Sequence, residues 1–131
     1  MMENRNKKLF FLYFCTLISK SQNKKMAVEI TDGNFNEMLN SGKPLMVDFW
    51  AQWCGPCLAM APVIEEMAKE FDGKAIIGKL DVDSNPQVSQ QFGIRNIPSI
   101  LFFNNGVLVD KQVGAVPKNM LVKKLTAQVE A

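Results

Sequence analysis

The chain has 131 residues, which is enough for one domain and too few for two independent cores. Its 47% hydrophobic and 21% charged content exclude a charge-driven disordered protein and a low-complexity fibre. Net charge is +2 and there is no histidine, which excludes His-dependent nucleophiles, His-ligated metals and imidazole acid–base chemistry. The charge is uneven. Residues 1–25 hold six cations and one anion, and residues 26–131 hold nine cations and twelve anions. No basic patch interleaved with aromatics follows residue 25, so no nucleic-acid partner is expected.

Residues 1–25 read as an extension outside the folded domain at 26–131. The apolar run from Leu9 to Ile18 is too short for a membrane-spanning helix and matches a signal h-region in size. Lysines stand where a small-residue cleavage site belongs, and bulky Phe14 before Cys15 argues against lipid modification of that cysteine. The segment is expected to be a disordered tail or to lie upstream of a true start at Met26. The alternative is a leader that exports the protein or associates it with a membrane through residues 9–18.

From Met26 onward the pattern alternates. Val28-Glu29-Ile30 predicts a short strand, and Thr31, Asp32 and Asn34 offer caps for a helix carrying Phe35, Met38 and Leu39. Gly42-Lys43-Pro44 ends that helix. Leu45 to Trp50 is nearly all apolar, as a strand buried on both faces must be. A long helix is expected from Cys54 to Phe71, with Met60, Val63, Ile64 and Met67 inward and a kink at Pro62. Ala75 to Leu80 predicts the next buried strand. Asn85-Pro86 opens a short helix to Phe92, with proline at its favoured first position. Ser99–Phe103 and Val107–Val113 predict a hairpin closed by Asn104-Asn105-Gly106. Pro117 starts a final helix with Met120, Leu121, Leu125 and Val129 on its apolar face. The order β-α-β-α-β-α-β-β-α calls for an α/β fold with a mixed sheet between helices.

The chemistry centres on Trp53-Cys54-Gly55-Pro56-Cys57, directly after a buried strand and at the start of a helix. Two cysteines at i and i+3 on a first helical turn bring their sulfurs together. Cys54 meets the unpaired N–H groups and the positive end of the helix dipole, so its thiol pKa is expected below that of a free cysteine. Thiolate is the attacking species in disulfide exchange. Cys57, one turn inside, is expected to be more buried and less ionised; Cys54 then attacks and Cys57 resolves. A structural zinc site needs four ligands, and only Cys15 could join this pair. Asp48 interrupts the apolar strand six positions before Cys54. It is either a buried carboxyl with a raised pKa that passes protons beneath the cysteines, or a strand-end carboxylate in water. Lys79 either pairs with Asp48 or is an ordinary edge lysine. Ile97-Pro98 precedes a central strand, where proline lacks a ladder donor, and sequence alone leaves its peptide cis or trans. Trp50 reads equally as groove or core.

The run from Asp48 to Cys57 resembles the active-site stretch of the thioredoxin family. The likeness continues through Ala61-Pro62, Lys79-Leu80-Asp81-Val82-Asp83, the segment from Phe92 to Ser99, Asn105-Gly106 and Val113-Gly114-Ala115. It covers about residues 27–131. The resemblance implies a thioredoxin fold, with a central mixed five-stranded sheet flanked by four helices. It also implies a protein-disulfide reductase working through a Cys54–Cys57 redox disulfide, with Asp48 and Lys79 as a proton-transfer pair. The active-site turn would hold Trp53, Gly55 and Pro56, and Ile97-Pro98 would be cis. Trp50, Ile97, Pro98, Gly114 and Ala115 would border the substrate groove. No cofactor or metal is expected. The partners would be oxidised proteins and a separate thioredoxin reductase, since no dinucleotide-binding glycine motif is present. The protein would be a cytoplasmic monomer. The alternatives are an extracytoplasmic reductase of the same chemistry and a non-catalytic binding partner on the same fold. Leu58 stands where the family often has a cation, and Asn96 and Ser99 replace its frequent Gly and Thr.

Overall fold

The computed structural model describes residues 26–131. The expectations for residues 1–25, Cys15 and the 9–18 run among them, lie outside the described residues. The strands are β1 (Val28–Glu29), β2 (Leu45–Trp50), β3 (Ile76–Asp81), β4 (Ser99–Asn104) and β5 (Val107–Val113). The helices are α1 (Phe35–Leu39), α2 (Gly55–Glu70), α3 (Pro86–Gln91) and α4 (Lys118–Val129). One five-stranded sheet has the order β1-β3-β2-β4-β5. β1 and β2 flank β3 in parallel, and β4 and β5 join antiparallel. The described residues form the mixed sheet and four helices of the thioredoxin fold.

Side-chain alternation divides the core. Met46, Ile77, Ile100 and Phe102 face α2 and α4, packing on Met60, Ile64, Met67, Leu121 and Leu125. Leu45, Val47, Phe49, Leu80, Leu101 and Phe103 face the other side, with Phe35 of α1 and Val88 of α3. There Phe35, Phe92 and Phe103 meet edge to face, with ring centroids 5.2–5.6 Å apart. Central β2 and β4 are covered on both faces, which is why their sequences are continuous apolar runs. At the β4–β5 turn, Asn105 and Gly106 both take positive φ, as the Asn-Gly pair predicts.

Three local expectations change. Asn34 makes no side-chain cap to α1. Instead its Oδ1 accepts from the Thr31 N–H at 2.8 Å, while the Thr31 hydroxyl accepts from the Asn34 N–H at 3.2 Å. Asp32 caps a different helix. Its carboxylate accepts from the Gln87 and Val88 N–H groups of α3, at 3.2 and 2.9 Å. Met120 is 42% exposed, because the buried stripe of α4 runs through Leu121 and Leu125. As expected, one long helix carries Pro62 inside it.

Candidate active site

β2 delivers the chain straight to the redox turn. Ala51, fully buried, anchors the turn through its carbonyl, which accepts from the Cys54 N–H at 3.2 Å. Cys54 is the N-cap of α2, in extended conformation, and Pro56 lies in the first turn, where a missing N–H costs nothing. Cys54 and Cys57 are joined in a disulfide with Cα atoms 5.3 Å apart. The Cys57 N–H donates to Cys54 Sγ at 3.2 Å, so the helix's first-turn donor points at that sulfur. Cys54 is 6% exposed and Cys57 2%. Gly55 and Pro56 form the exposed rim.

The Ile97–Pro98 peptide is cis. It sets the Ile97 carbonyl oxygen 3.8 Å from Cys54 Sγ. The Pro98 carbonyl accepts from the Gly114 N–H at 2.8 Å, and Gly114 has φ +88°, a conformation glycine takes without strain. The redox turn, Ile97-Pro98 and the Gly114-Ala115 segment therefore meet at one end of the sheet. Trp53 is 71% exposed, and its indole N–H donates to Asp83 Oδ2 at 2.8 Å, which fixes the ring beside the disulfide. Nothing local in the sequence marks Asp83 for that task. Trp50 is half-buried; it packs on Ala51, Cys54 and Cys57 and also lines a cavity of about 350 Å³ with Glu65, Lys79 and Asp81.

Asp48 is 1% exposed, on the sheet face that α2 covers, and its Oδ1 has no hydrogen-bond partner among the described residues. Burial pushes its carboxyl from 3.8 up to about 7, and the Lys79 charge opposes that rise. Lys79 is the register neighbour of Asp48 across β2 and β3, yet its ammonium pairs elsewhere. Its Nζ lies 3.3 Å from Glu65 Oε1 and 5.3 Å from the centroid of the Trp50 ring. The expected Asp48–Lys79 contact is thus a through-space influence, and the direct partner is Glu65. The sequence carried one signal for Glu65: Cys57, Ala61 and Glu65 follow at four-residue intervals on one helical face. Among the described residues, no three His, Cys, Asp or Glu side chains could together hold a metal ion. No helix among them is long and apolar enough to cross a membrane.

A strand, an exposed turn and a helix that carry a two-cysteine bridge at the helix N-terminus, faced by a cis-proline loop, define a dithiol–disulfide exchange protein. The thioredoxin family model matches residues 26–127. Thioredoxin 2 of Chlorobaculum tepidum is 56% identical over 102 residues, covering 77% of this chain and 94% of its own length. Thioredoxin of Chlorobaculum thiosulfatiphilum is 53% identical over the same shares. Thioredoxin 1 of Nostoc sp. is 49% identical over 100 residues, 76% of this chain and 94% of its own length. The chain belongs to the thioredoxin family, as a thiol–disulfide oxidoreductase that reduces protein disulfides.

Proposed function

We propose that Cys54 is the attacking thiol, Cys57 the resolving thiol and Asp48 the group that takes the Cys57 proton. The observation that carries this reading is the Cys57 N–H held on Cys54 Sγ at the start of α2. In the dithiol state that donor and the helix dipole favour a Cys54 thiolate. The thiolate attacks one sulfur of a target disulfide. The target S–S bond breaks, a mixed disulfide forms, and the released target sulfur takes up a proton. Cys57 then passes its proton to the Asp48 carboxylate and attacks Cys54 Sγ. That expels the second target sulfur as a thiolate and leaves the Cys54–Cys57 disulfide. Two electrons have moved from this chain to the target. A carboxyl with its midpoint near 7 suits such a transfer at neutral pH.

Protein substrates would dock over Trp53, Gly55, Pro56, Ile97, Pro98, Gly114 and Ala115. The Ile97 carbonyl faces Cys54 there, and the exposed Trp53 offers an apolar face. Trp50 would support this rim from behind. A separate thioredoxin reductase would restore the dithiol, and the protein would act as a cytoplasmic monomer without a bound cofactor. The decisive experiment is a Cys57→Ser variant mixed with oxidised protein substrate. Covalent adducts through Cys54 should accumulate and be released by added thiol. Their absence would overturn the resolving role. Cys54→Ser should abolish insulin reduction in an assay coupled to thioredoxin reductase.

A further inference from the structure

We propose that Glu65 is a positioning residue that sets the proton affinity of Asp48 by holding the Lys79 ammonium away from it. The proposal rests on the reading of Asp48 as the Cys57 proton acceptor. Register neighbours on adjacent parallel strands point to the same sheet face, about 4.8 Å apart. A lysine side chain is long enough to close that gap and pair with the carboxylate. It does not do so here. Lys79 Nζ is drawn to Glu65 Oε1 at 3.3 Å, and Trp50 lies beneath it with its centroid at 5.3 Å. Glu65 is itself fixed, because its other oxygen accepts from the Ala27 N–H at 2.9 Å. Both partners are partly buried, at 29% and 25% side-chain exposure, so the pair is less screened than a surface ion pair.

The remaining charged groups around this cavity are Asp81 of β3 and Glu29 of β1. α2 also contributes the two redox cysteines at its start. β4 presents Ile100 and Phe102 on the same sheet face, with Asn104 at its end bonded to Gln128 of α4, and α4 contributes Leu121 and Leu125. Among the described residues Lys79 is the only cation lining this cavity, and it is the register neighbour of Asp48, so where its ammonium sits decides how strongly Asp48 holds a proton. An opposite charge brought within about 4–6 Å of a carboxyl lowers its pKa by roughly one to three units. Docked on Asp48, Lys79 would leave a weak base poorly matched to a thiol near neutral pH. Clamped by Glu65, it leaves Asp48 near the working pH.

The test is carboxyl NMR of Asp48 in the disulfide form, where no active-site thiol titrates. Glu65→Gln frees Lys79, and the Asp48 midpoint should fall by about one unit, a tenfold loss of proton affinity. Glu65→Asp, one methylene shorter, should give a smaller fall and serves as the second variant. Lys79→Met should raise the midpoint, and adding Glu65→Gln to Lys79→Met should change it no further. An unmoved midpoint in Glu65→Gln would overturn the proposal. So would a fall of equal size in the Lys79→Met background, which would trace the effect to the field of Glu65 itself. Asp48→Asn separates the two readings. If it leaves the pH profile of mixed-disulfide release unchanged, the proton-acceptor role fails while the Glu65–Lys79 clamp stands.

Discussion

Asp48 is an ionisable group whose folded environment favours the neutral form, and that makes it a stability term as well as a proton acceptor. In the unfolded chain its carboxyl titrates near 3.8, and in the folded protein near 7. Between those values the unfolded chain has lost the proton and the folded protein has kept it. Stability therefore falls as pH rises through that window and levels off above about 7. The full span corresponds to about 4 kcal/mol, at roughly 1.4 kcal/mol per unit. Asp48→Asn removes the cost of ionising a buried carboxyl. The oxidised variant should gain about 2–4 kcal/mol over the parent at pH 8 and little at pH 4, read from urea unfolding at each pH. Equal gains at both pH values would show that packing, and not ionisation, is responsible. Asp48 was legible in the sequence because a carboxylate stands out in the run Leu45 to Trp50. The destination of Lys79 was not. Strand register gives its neighbour as Asp48, but the choice of Glu65 depends on how α2 lies across the sheet, which no local pattern encodes.

The short elements show how far a local reading reaches. α3 has six residues, too few to be stable alone, and its first-turn N–H groups at Gln87 and Val88 are satisfied from across the fold by Asp32. Asn85 returns the contact, its Oδ1 accepting from the Asp32 N–H at 3.0 Å. Asp32 reads in sequence as a cap for the helix just after it, because cap signals are scanned along the chain and not through space. Asp32→Ala should cost about 1–2 kcal/mol, since two donors lose an ionised acceptor. Hydrogen exchange at Gln87 and Val88 should quicken more than at core amides of β2. Uniform acceleration would mean that α3 unfolds only with the whole domain. On the sheet's other margin, β1 is two residues long and relies on close approach to β3. A Cβ at Gly78 would fall 2.2 Å from Ile30 Cδ1 and 3.3 Å from the Val28 carbonyl oxygen. Ile30 is fully buried and has little room to yield. Gly78→Ala should therefore destabilise by about 1–3 kcal/mol, and amides at the β1–β3 pairing should lose protection first.

The fold was legible where burial is symmetrical and less so where it is one-sided. β2 and β4 announced themselves as apolar runs because helices cover both their faces. Met120 lies off the buried face of α4 because successive helical residues stand about 100° apart, which carries it out of the stripe through Leu121 and Leu125. The mixed pairing follows from connection lengths: α2 and its loops allow β2 and β3 to run parallel, whereas Asn105-Gly106 forces β5 back along β4. Among the described residues, both core faces are lined by side chains between Ala27 and Val129, and the N-terminal hold on the site, the Ala27 N–H on Glu65, also falls within that span. A chain beginning at Met26 should then fold cooperatively, with a Tm within about 4 °C of the full chain, a difference of under roughly 1 kcal/mol for a domain of this size. It should reduce insulin at the same rate with thioredoxin reductase, because every residue placed at the redox turn and its rim lies between Asp48 and Ala115. A larger drop in Tm would assign part of the core to residues 1–25. An unchanged Tm with slower turnover would instead place those residues at the docking surface, where their excess of cations would meet substrate or reductase.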